Sequence, residues 1–201
     1  MPEKITLFVT ILGGGHSKRM GFSKALLKIK GKLWAEHIWD IARKIPVLKE
    51  RLILMKGAHA SLPLKKDILQ LSEPILEHGP LGGIHGSLHY FLPSYLVNRA
   101  LMLVLPVDMP LLDPKILRDL VRHASESPDY VHHFENNLLP SVIPLTPRAL
   151  QVARGQLCKG SSYDWSLRGY YHRLGYKTWP CLRSSLLVNI NSCEDWQKIF
   201  C

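Results

Sequence analysis

The chain has 201 residues, of which 46% are hydrophobic and 21% charged, and its formal net charge is +10. This length fits one globular domain with a sizeable core, and no apolar run approaches the roughly 18 residues that a membrane-spanning helix needs. Residues 1–10 carry Glu3 and lead straight into an apolar run, so no signal peptide is evident. These features exclude a membrane protein and predict a cytoplasmic location.

The positive charge is concentrated near the start of the chain. Before Glu36 the only acidic residue is Glu3, and between these two lie Lys4, Lys18, Arg19, Lys24, Lys28, Lys30 and Lys32. No aromatic-rich RNA platform or recognition-helix motif accompanies these cations. The distribution therefore favours the phosphates of a small ligand over nucleic acid.

The four cysteines all follow residue 157 and show no C-x-x-C spacing. In a cytosolic enzyme this pattern predicts reduced thiols and no structural metal site. The four are Cys158, Cys181, Cys193 and Cys201.

The first predicted element is a buried strand over the apolar, β-branched run from Ile5 to Leu12. It ends at three consecutive glycines, and the loop after them is basic and contains serine. Glycines let several backbone N–H groups converge on one anion, and lysine and arginine neutralise phosphate, so the loop is predicted to bind a polyphosphate. Its spacing matches neither the Walker A loop nor the dinucleotide-binding fingerprint. The loop residues are Gly13, Gly14, Gly15, Ser17, Lys18, Arg19 and Lys24.

Strands and helices alternate through residue 124. The pattern predicts a helix over 34–45, strands over 51–57 and 67–71, a helix over 81–91, a strand over 100–107 and a helix from 114 to about 123. Pro46 ends the first helix, and Asp113 is predicted to cap the third. Such alternation implies βαβ crossovers and a parallel sheet covered on both faces.

The last third is predicted to begin with an antiparallel pair over 130–134 and 138–145. The elements expected after it are helices over 147–154 and 162–172, strands over 176–181 and 186–190, and a helix over 193–200. Thr146 is predicted to cap the helix over 147–154, and Ser192 the helix over 193–200. We expect one domain spanning 1–201, with a nucleotide-binding part over 1–124 and an acceptor-binding part over 125–201.

Four stretches, in order, carry a resemblance to a known family. The run from Leu12 to Lys24 resembles the signature L-x-G-G-x-S-x-R-M-G-x-x-K of small nucleotidyltransferases, in particular the molybdenum cofactor guanylyltransferases. The stretches G-P-L-G-G-I at 79–84, P-V-D-M-P at 106–110 and N-I-N-S-C-E-D at 189–195 support this likeness. It implies a three-layer α/β/α Rossmann-like nucleotidyltransferase fold with a mostly parallel central sheet.

Nucleotidyl transfer needs cations and a divalent ion, because the anionic oxygens of both substrates repel one another. Arg19 and Lys24 are the cationic candidates, and the matching residues of the resembled family contact the triphosphate. Asp108 ends an otherwise uncharged strand between two prolines and is the predicted catalytic ligand of Mg²⁺. Asn189 and Asn191 match paired positions of the family and are candidates for a second oxygen ligand; an Asx turn is the alternative.

Base recognition departs from the family pattern. Guanine presents N1–H and N2–H donors, for which a carboxylate is the natural acceptor. The resembled family has an acidic residue a few positions before the G-P-L motif; Glu73 is the candidate nearest to that position, with Glu77 as the alternative. The usual aspartate of the family falls near Ser72, and an asparagine common after the second strand is missing. The predicted nucleotide-binding residues are Leu12, Gly13, Gly14, Gly15, Ser17, Lys24, Glu73, Gly79, Pro80 and Leu81.

The acceptor side is less defined. Five cations of the last third are candidates to hold an anionic substrate, with solvated surface as the alternative for each: Arg148, Arg154, Lys159, Arg168 and Arg173.

The resemblance implies an enzyme that uses GTP and molybdopterin, depends on Mg²⁺ and releases pyrophosphate, with transient protein partners in cofactor delivery. Two alternatives stay open. One is a cytidylyl- or uridylyltransferase acting on a molybdopterin, a sugar phosphate or another phosphorylated alcohol. The other is a catalytically silent nucleotide-binding or partner-binding protein, against which the joint presence of Arg19, Lys24 and Asp108 argues.

Overall fold

A computed structural model of the chain describes residues 5–13, 24–29, 31–47, 51–56, 62–74, 78–94, 99–159, 165–192, 194–195 and 197. The strands are β1 (Thr6–Leu12), β2 (Lys28–Ile29), β3 (Lys32–Leu33), β4 (Leu52–Lys56), β5 (Gln70–Ser72), β6 (Ala100–Pro106), β7 (Val131–Phe134), β8 (Asn137–Pro144) and β9 (Tyr176–Trp179). The α-helices are α1 (Trp34–Ala42), α2 (Gly79–Phe91), α3 (Pro114–Glu126), α4 (Pro147–Leu157) and α5 (Leu167–Leu174).

The central sheet has seven strands in the order β5-β4-β1-β6-β8-β7-β9. β5, β4, β1 and β6 are parallel neighbours, β8 runs antiparallel to β6 and β7, and β9 is parallel to β7. The mostly parallel sheet is therefore confirmed. The chain moves outward from β1 through β4 to β5 and then returns to the other side of β1 with β6, which creates a topological switch point beside β1.

Helices cover both faces of the sheet, because the strands alternate apolar side chains between two cores. Val9 and Ile11 of β1 point to the core shared with α1 and α3, whereas Phe8 and Leu12 point to the core shared with α2, α4 and α5. All four side chains are buried. This arrangement confirms the three-layer α/β/α fold.

Helix starts agree with the capping signals in the sequence. Asp113 accepts a hydrogen bond from the Lys115 N–H (2.7 Å) at the start of α3, and Thr146 accepts one from the Ala149 N–H (3.1 Å) at the start of α4. In both helices proline follows the cap, where its missing N–H costs no helical hydrogen bond. The antiparallel pair β7–β8 is also confirmed, and Asn136 in its turn takes a φ of +63°.

Two predicted elements differ from the structure. The segment 186–190 is not a strand: a 3-10 turn covers Ser184–Leu187, and the chain then runs outside the sheet with Leu187 and Ile190 buried against the α1–α3 side. The helix predicted over 162–172 begins only at Leu167, where Ser166 caps it. Among the described residues, no helix is both long and apolar enough to cross a membrane.

Candidate functional site

The candidate site lies at the carboxyl edge of β1 and β6, at the switch point. The Val107 N–H donates to the Leu12 carbonyl (3.1 Å), and the Gly13 N–H donates to the Met55 carbonyl at the end of β4 (2.9 Å). Three neighbouring strands thus end together, and the chain leaves β1 at Gly13 and β6 toward Asp108. In open α/β sheets ligands bind in the crevice at this position.

The first turn of α2 borders the same edge. Gly79 has a φ of +61°, a left-handed conformation that glycine adopts without strain, and Pro80 follows it at the start of the helix. A buried hydrogen-bond chain fixes the helix against β1: Ser87 Oγ donates to the Gly83 carbonyl (2.7 Å) and accepts from Thr10 Oγ1 (2.8 Å). The buried contact between Ser87 and Thr10 therefore fixes α2 on β1, and Gly79 lies about two helical turns before Ser87.

Glu73 lies beside α2, just after β5. Its N–H donates to the Lys56 carbonyl (3.1 Å), and its Oε1 lies 3.2 Å from the point where a Cβ on Gly83 would be. Leu12 Cδ2 lies 2.7 Å from the same point. Burial raises the pKa of Glu73 to about 7. The structure therefore brings together Leu12, Glu73 and the start of α2, which are three of the predicted nucleotide-binding elements.

The glycines of α2 allow close packing, and the neighbours are protein groups. Gly83 admits Leu12 and Glu73, and a Cβ on Gly86 would lie 2.6 Å from Met55 Cε and 2.7 Å from Pro74 Cδ. The neighbour of each could not be read from the sequence, because the contacts join segments that are distant along the chain.

The segment around Ile190 returns to Asp108. The Ile190 N–H donates to the Asp108 carbonyl (2.9 Å), and Ile190 is completely buried. Asn189 and Asn191 flank this anchor on either side, so the backbone contact brings both asparagines to the end of β6. The carboxylate of Asp108 and the amide oxygens of the asparagines are hard donors of the kind that Mg²⁺ prefers.

Asp195 stabilises the turn that carries the asparagines. Its Oδ2 accepts from the N–H groups of Asn191 and Ser192 (2.9 Å each), and its own N–H donates to Ser192 Oγ (3.1 Å). The predicted cap at Ser192 is thus present, and the Asp195 carboxylate is committed to the turn. The donor chemistry of Asp108, Asn189 and Asn191, which the backbone contact holds at one strand end, is of the type that Mg²⁺ takes. No group of three or more His, Cys, Asp or Glu side chains forms a metal cluster within this part of the chain.

Two further contacts hold the Asp108 loop. His37 Nε2 on α1 lies 2.8 Å from the Pro110 carbonyl, and Arg183 Nη2 lies 3.1 Å from Asp113 Oδ2. Sequence reasoning missed both, because His37 and Arg183 stand in no recognisable motif and lie far along the chain from their partners.

Several predicted site residues lie outside the described residues. They are Gly14, Gly15, Ser17, Arg19 and the alternative base reader Glu77. Lys24 begins a 3-10 turn over Lys24–Leu26, and its side chain is also outside the description.

We call the edge of the site at the start of α2 its rim, and a ring contact there joins the two halves of the chain. His78, directly before α2, packs on Trp165, two residues before α5, with ring centroids 3.8 Å apart. The Trp165 indole N–H donates to the Lys159 carbonyl (3.3 Å), which holds the ring at the end of α4.

Of the five cations considered for the acceptor, two lie far from this rim. The Leu145 N–H donates to the Ala100 carbonyl, at the end of β6 opposite Asp108, and α4 begins two residues later. Arg148 therefore lies about 20 Å from Asp108, the length of a seven-residue strand. Its Nη2 donates to the Arg173 carbonyl (3.2 Å), so Arg173 lies at the same end.

Comparison with known proteins agrees with the geometry. Residues 9–169 match the family model of the MobA-like NTP transferase domain. The chain is 28% identical to a molybdenum cofactor guanylyltransferase from Xanthomonas euvesicatoria, covering 94% of this chain and 92% of the relative. It is also 28% identical to a probable molybdenum cofactor guanylyltransferase from Flavobacterium johnsoniae, over 76% of this chain and 75% of the relative.

A crystal structure of molybdopterin-guanine dinucleotide biosynthesis protein A from Archaeoglobus fulgidus superposes with a TM-score of 0.73. The sequence identity is 17%, and the match covers 94% of this chain and 95% of that one. At this identity the likeness supports the fold.

Proposed function

Because the chain belongs to the MobA-like NTP transferase family and is a nucleotidyltransferase, we propose that it transfers the guanylyl group of GTP to molybdopterin and releases pyrophosphate. A phosphate oxygen of the acceptor attacks the α-phosphorus, and the bond to the bridging oxygen of pyrophosphate breaks. The chain supplies positioning and charge, since the reaction needs no covalent enzyme intermediate.

The position of Glu73 is the observation that carries the choice of GTP. The half-buried Glu73 places its carboxyl group beside Leu12 and α2, where the backbone near Gly13 and Gly79 is proposed to contact the nucleotide. A carboxylate there would accept hydrogen bonds from guanine N1–H and N2–H, the two donors that distinguish guanine from adenine and cytosine. Similarity over nearly the full length to a named guanylyltransferase supports the same choice.

Asp108 is proposed to hold Mg²⁺, with Asn189 or Asn191 as a second oxygen ligand. When bound, the ion neutralises triphosphate oxygens and the charge that develops on the leaving pyrophosphate. The Ile190 N–H, bonded to the Asp108 carbonyl, keeps the asparagine segment against the end of β6. Arg19 and Lys24 are proposed to neutralise the remaining triphosphate charge.

The two halves of the chain are proposed to divide the substrates. Residues 1–124 contain the proposed contacts to GTP, and residues 125–201 are assigned to the acceptor and also contain the asparagines proposed to hold the metal. The contact between His78 and Trp165 joins the two parts at the rim of the site.

The test is pyrophosphate release from GTP in the presence of Mg²⁺ and molybdopterin. Asp108→Ala is expected to lower turnover by at least a hundredfold, because the neighbouring described carboxylates, Asp113 and Asp195, already accept hydrogen bonds from backbone N–H groups. Asp113→Asn is the matched control: it removes a carboxylate from the same loop but keeps an oxygen that can accept from the Lys115 N–H. Wild-type turnover by Asp108→Ala, with its fold verified by circular dichroism, would contradict the proposal.

A further inference from the structure

The surface of α4 and α5 carries cations that no described carboxylate neutralises. Residues 137–193 contain seven Lys and Arg but only one acidic residue, Asp164, which lies outside the described residues. Elsewhere among the described residues some cations do have acidic partners, as in the pairs Lys32–Asp40, Arg43–Asp67 and Arg122–Asp119. We call the exposed set on the two helices and at the end of α4 the basic face: Arg148, Arg154, Lys159, Arg168 and Arg173.

Hydrogen bonds fix part of the basic face without neutralising it. Arg148 donates to the Arg173 carbonyl, Arg173 Nη1 donates to Gln156 Oε1 (2.7 Å), and Gln156 Nε2 donates to the Ser166 carbonyl (2.9 Å). These bonds join α4 to α5 through neutral acceptors, so the guanidinium groups keep their full charge. An arginine that is already ordered loses less conformational entropy when it binds a carboxylate.

The extent of the basic face separates it from the candidate site. Arg148 and Arg173 lie about 20 Å from Asp108, as the pairing of β6 shows, whereas Lys159 lies at the end of α4 next to Trp165. A small acceptor held near Asp108 would not reach both ends. The cations therefore suit a ligand as long as the helices, one end of which would lie beside the rim of the site.

We propose that the basic face docks an acidic surface of another protein. Charge complementarity of this kind steers association and fixes orientation, and arginine is enriched at protein interfaces. A protein is favoured over RNA because single-stranded bases need exposed aromatic rings. The aromatic residues of α5, Tyr170 and Tyr171, are buried, and the ring of Trp165 is packed on His78. This docking depends on the charge distribution and not on which nucleotide the enzyme uses.

The experiment measures binding of the complete chain to fluorescein-labelled poly-L-glutamate, a probe for carboxylate surfaces, by fluorescence anisotropy at about 0.15 M salt. The double variant Arg154→Glu/Arg168→Glu reverses two cations of the basic face that form no hydrogen bond or ion pair among the described residues. The matched control, Arg43→Glu/Arg122→Glu, changes the net charge equally but reverses cations paired with Asp67 and Asp119. Loss of such exposed pairs costs little stability.

We expect the basic-face variant to bind poly-L-glutamate at least about tenfold more weakly than wild type, and the control to change by less than about threefold. The neutral variant Arg154→Gln/Arg168→Gln is expected to fall between them, and it provides a second test if the charge-reversed chain does not fold. Equal weakening in the basic-face variant and the control would overturn the proposal, since net charge alone would then explain binding. Tighter binding to a single-stranded RNA of equal charge, lost in the basic-face variant, would also overturn it.

Discussion

A single methyl group at Gly83 tests the packing that positions Glu73. The Cβ of Gly83→Ala would lie 2.7 Å from Leu12 Cδ2 and 3.2 Å from Glu73 Oε1. Carbon atoms pack at about 3.5–4.0 Å, so the Leu12 side chain has to move by about 1 Å within a core where it is only 7% exposed. Glu73 has to move as well.

The expected free-energy change is the difference of two effects. Overpacking costs about 1–3 kcal/mol, and replacing a helical glycine with alanine returns about 1 kcal/mol. Gly83→Ala is therefore expected to lower the free energy of unfolding by up to about 2 kcal/mol. For a chain of this size each kcal/mol lowers Tm by about 2–4 °C. Gly155→Ala on α4 is the control, because its Cβ would lie within 4 Å of no atom of the described residues. It is expected to raise stability by about 0.5–1 kcal/mol.

Ligand binding separates the function of Glu73 from simple packing. Thermal melts of both variants with and without saturating GTP and Mg²⁺ give the two quantities together. If displacement of Glu73 weakens GTP binding tenfold, the stabilisation by ligand falls by about 1.4 kcal/mol in Gly83→Ala and stays unchanged in Gly155→Ala. The reasoning is refuted if Gly83→Ala melts as high as Gly155→Ala and is stabilised equally by GTP.

Three further predictions concern titration and capping. Because burial raises the pKa of Glu73 from 4.5 to about 7, the folded chain holds an extra proton between these values and loses stability as pH rises through them. Without ligand, Glu73→Gln is thus expected to raise Tm at pH 8 but not at pH 4.5. In titration calorimetry the affinity of the wild type for GTP is expected to increase as pH rises through 7. Burial lowers the pKa of His132, whose neutral ring accepts a hydrogen bond at Nδ1 from the Trp179 indole (2.9 Å). The contribution of His132 to folding stability is therefore present above pH 6.5 and is lost as pH falls below that value. In acid titrations followed by circular dichroism, His132→Phe should unfold with a weaker pH dependence than wild type; identical pH profiles would remove His132 from the acid response. Asp113→Ala is expected to lower the free energy of unfolding in urea by about 1 kcal/mol, because α3 loses its cap. Asp113→Asn is expected to cost less than half of that, since its side-chain oxygen can still accept from the Lys115 N–H. Equal costs would show that the charge matters more than the cap.

The architecture was predictable where local signals and burial agree. The apolar run at 100–107 indicates a strand buried on both faces, and all seven residues of β6 are buried in the sheet. Asp113 and Thr146, each followed by proline, mark helix starts because both signals act through the first turn of the helix itself. These signals depend on neighbours along the chain, which the sequence displays directly.

The errors occurred where burial does not specify a partner. The apolar run at 186–190 indicates a buried segment, and Leu187 and Ile190 are indeed buried, but the Ile190 N–H bonds to the Asp108 carbonyl and not to a strand. The short hairpin of β2 and β3 was not predicted either, since each strand has only two residues, too few to show alternation.

The sequence predicts which strand ends carry the candidate site, but not which side chains contact one another there. Glu73 is predicted because it is the acidic residue next to the family's usual aspartate position, near Ser72. Nothing in the sequence indicates that its carboxyl lies against Gly83 or that burial raises its pKa. The contact between Ile190 and Asp108 joins residues far apart along the chain and passes through backbone atoms, which carry no residue-specific signal.

Guanylyl transfer is tested most directly by the mass of the product formed in competition. The chain is incubated with molybdopterin, Mg²⁺ and equal concentrations of GTP, CTP, UTP and ATP, and the nucleotidylated product is identified by mass spectrometry. We expect the guanine dinucleotide form with one pyrophosphate released per product, and none from Asp108→Ala. A cytosine or uracil product would contradict the assignment of Glu73 to guanine, and the absence of any nucleotidylated product would contradict guanylyl transfer itself.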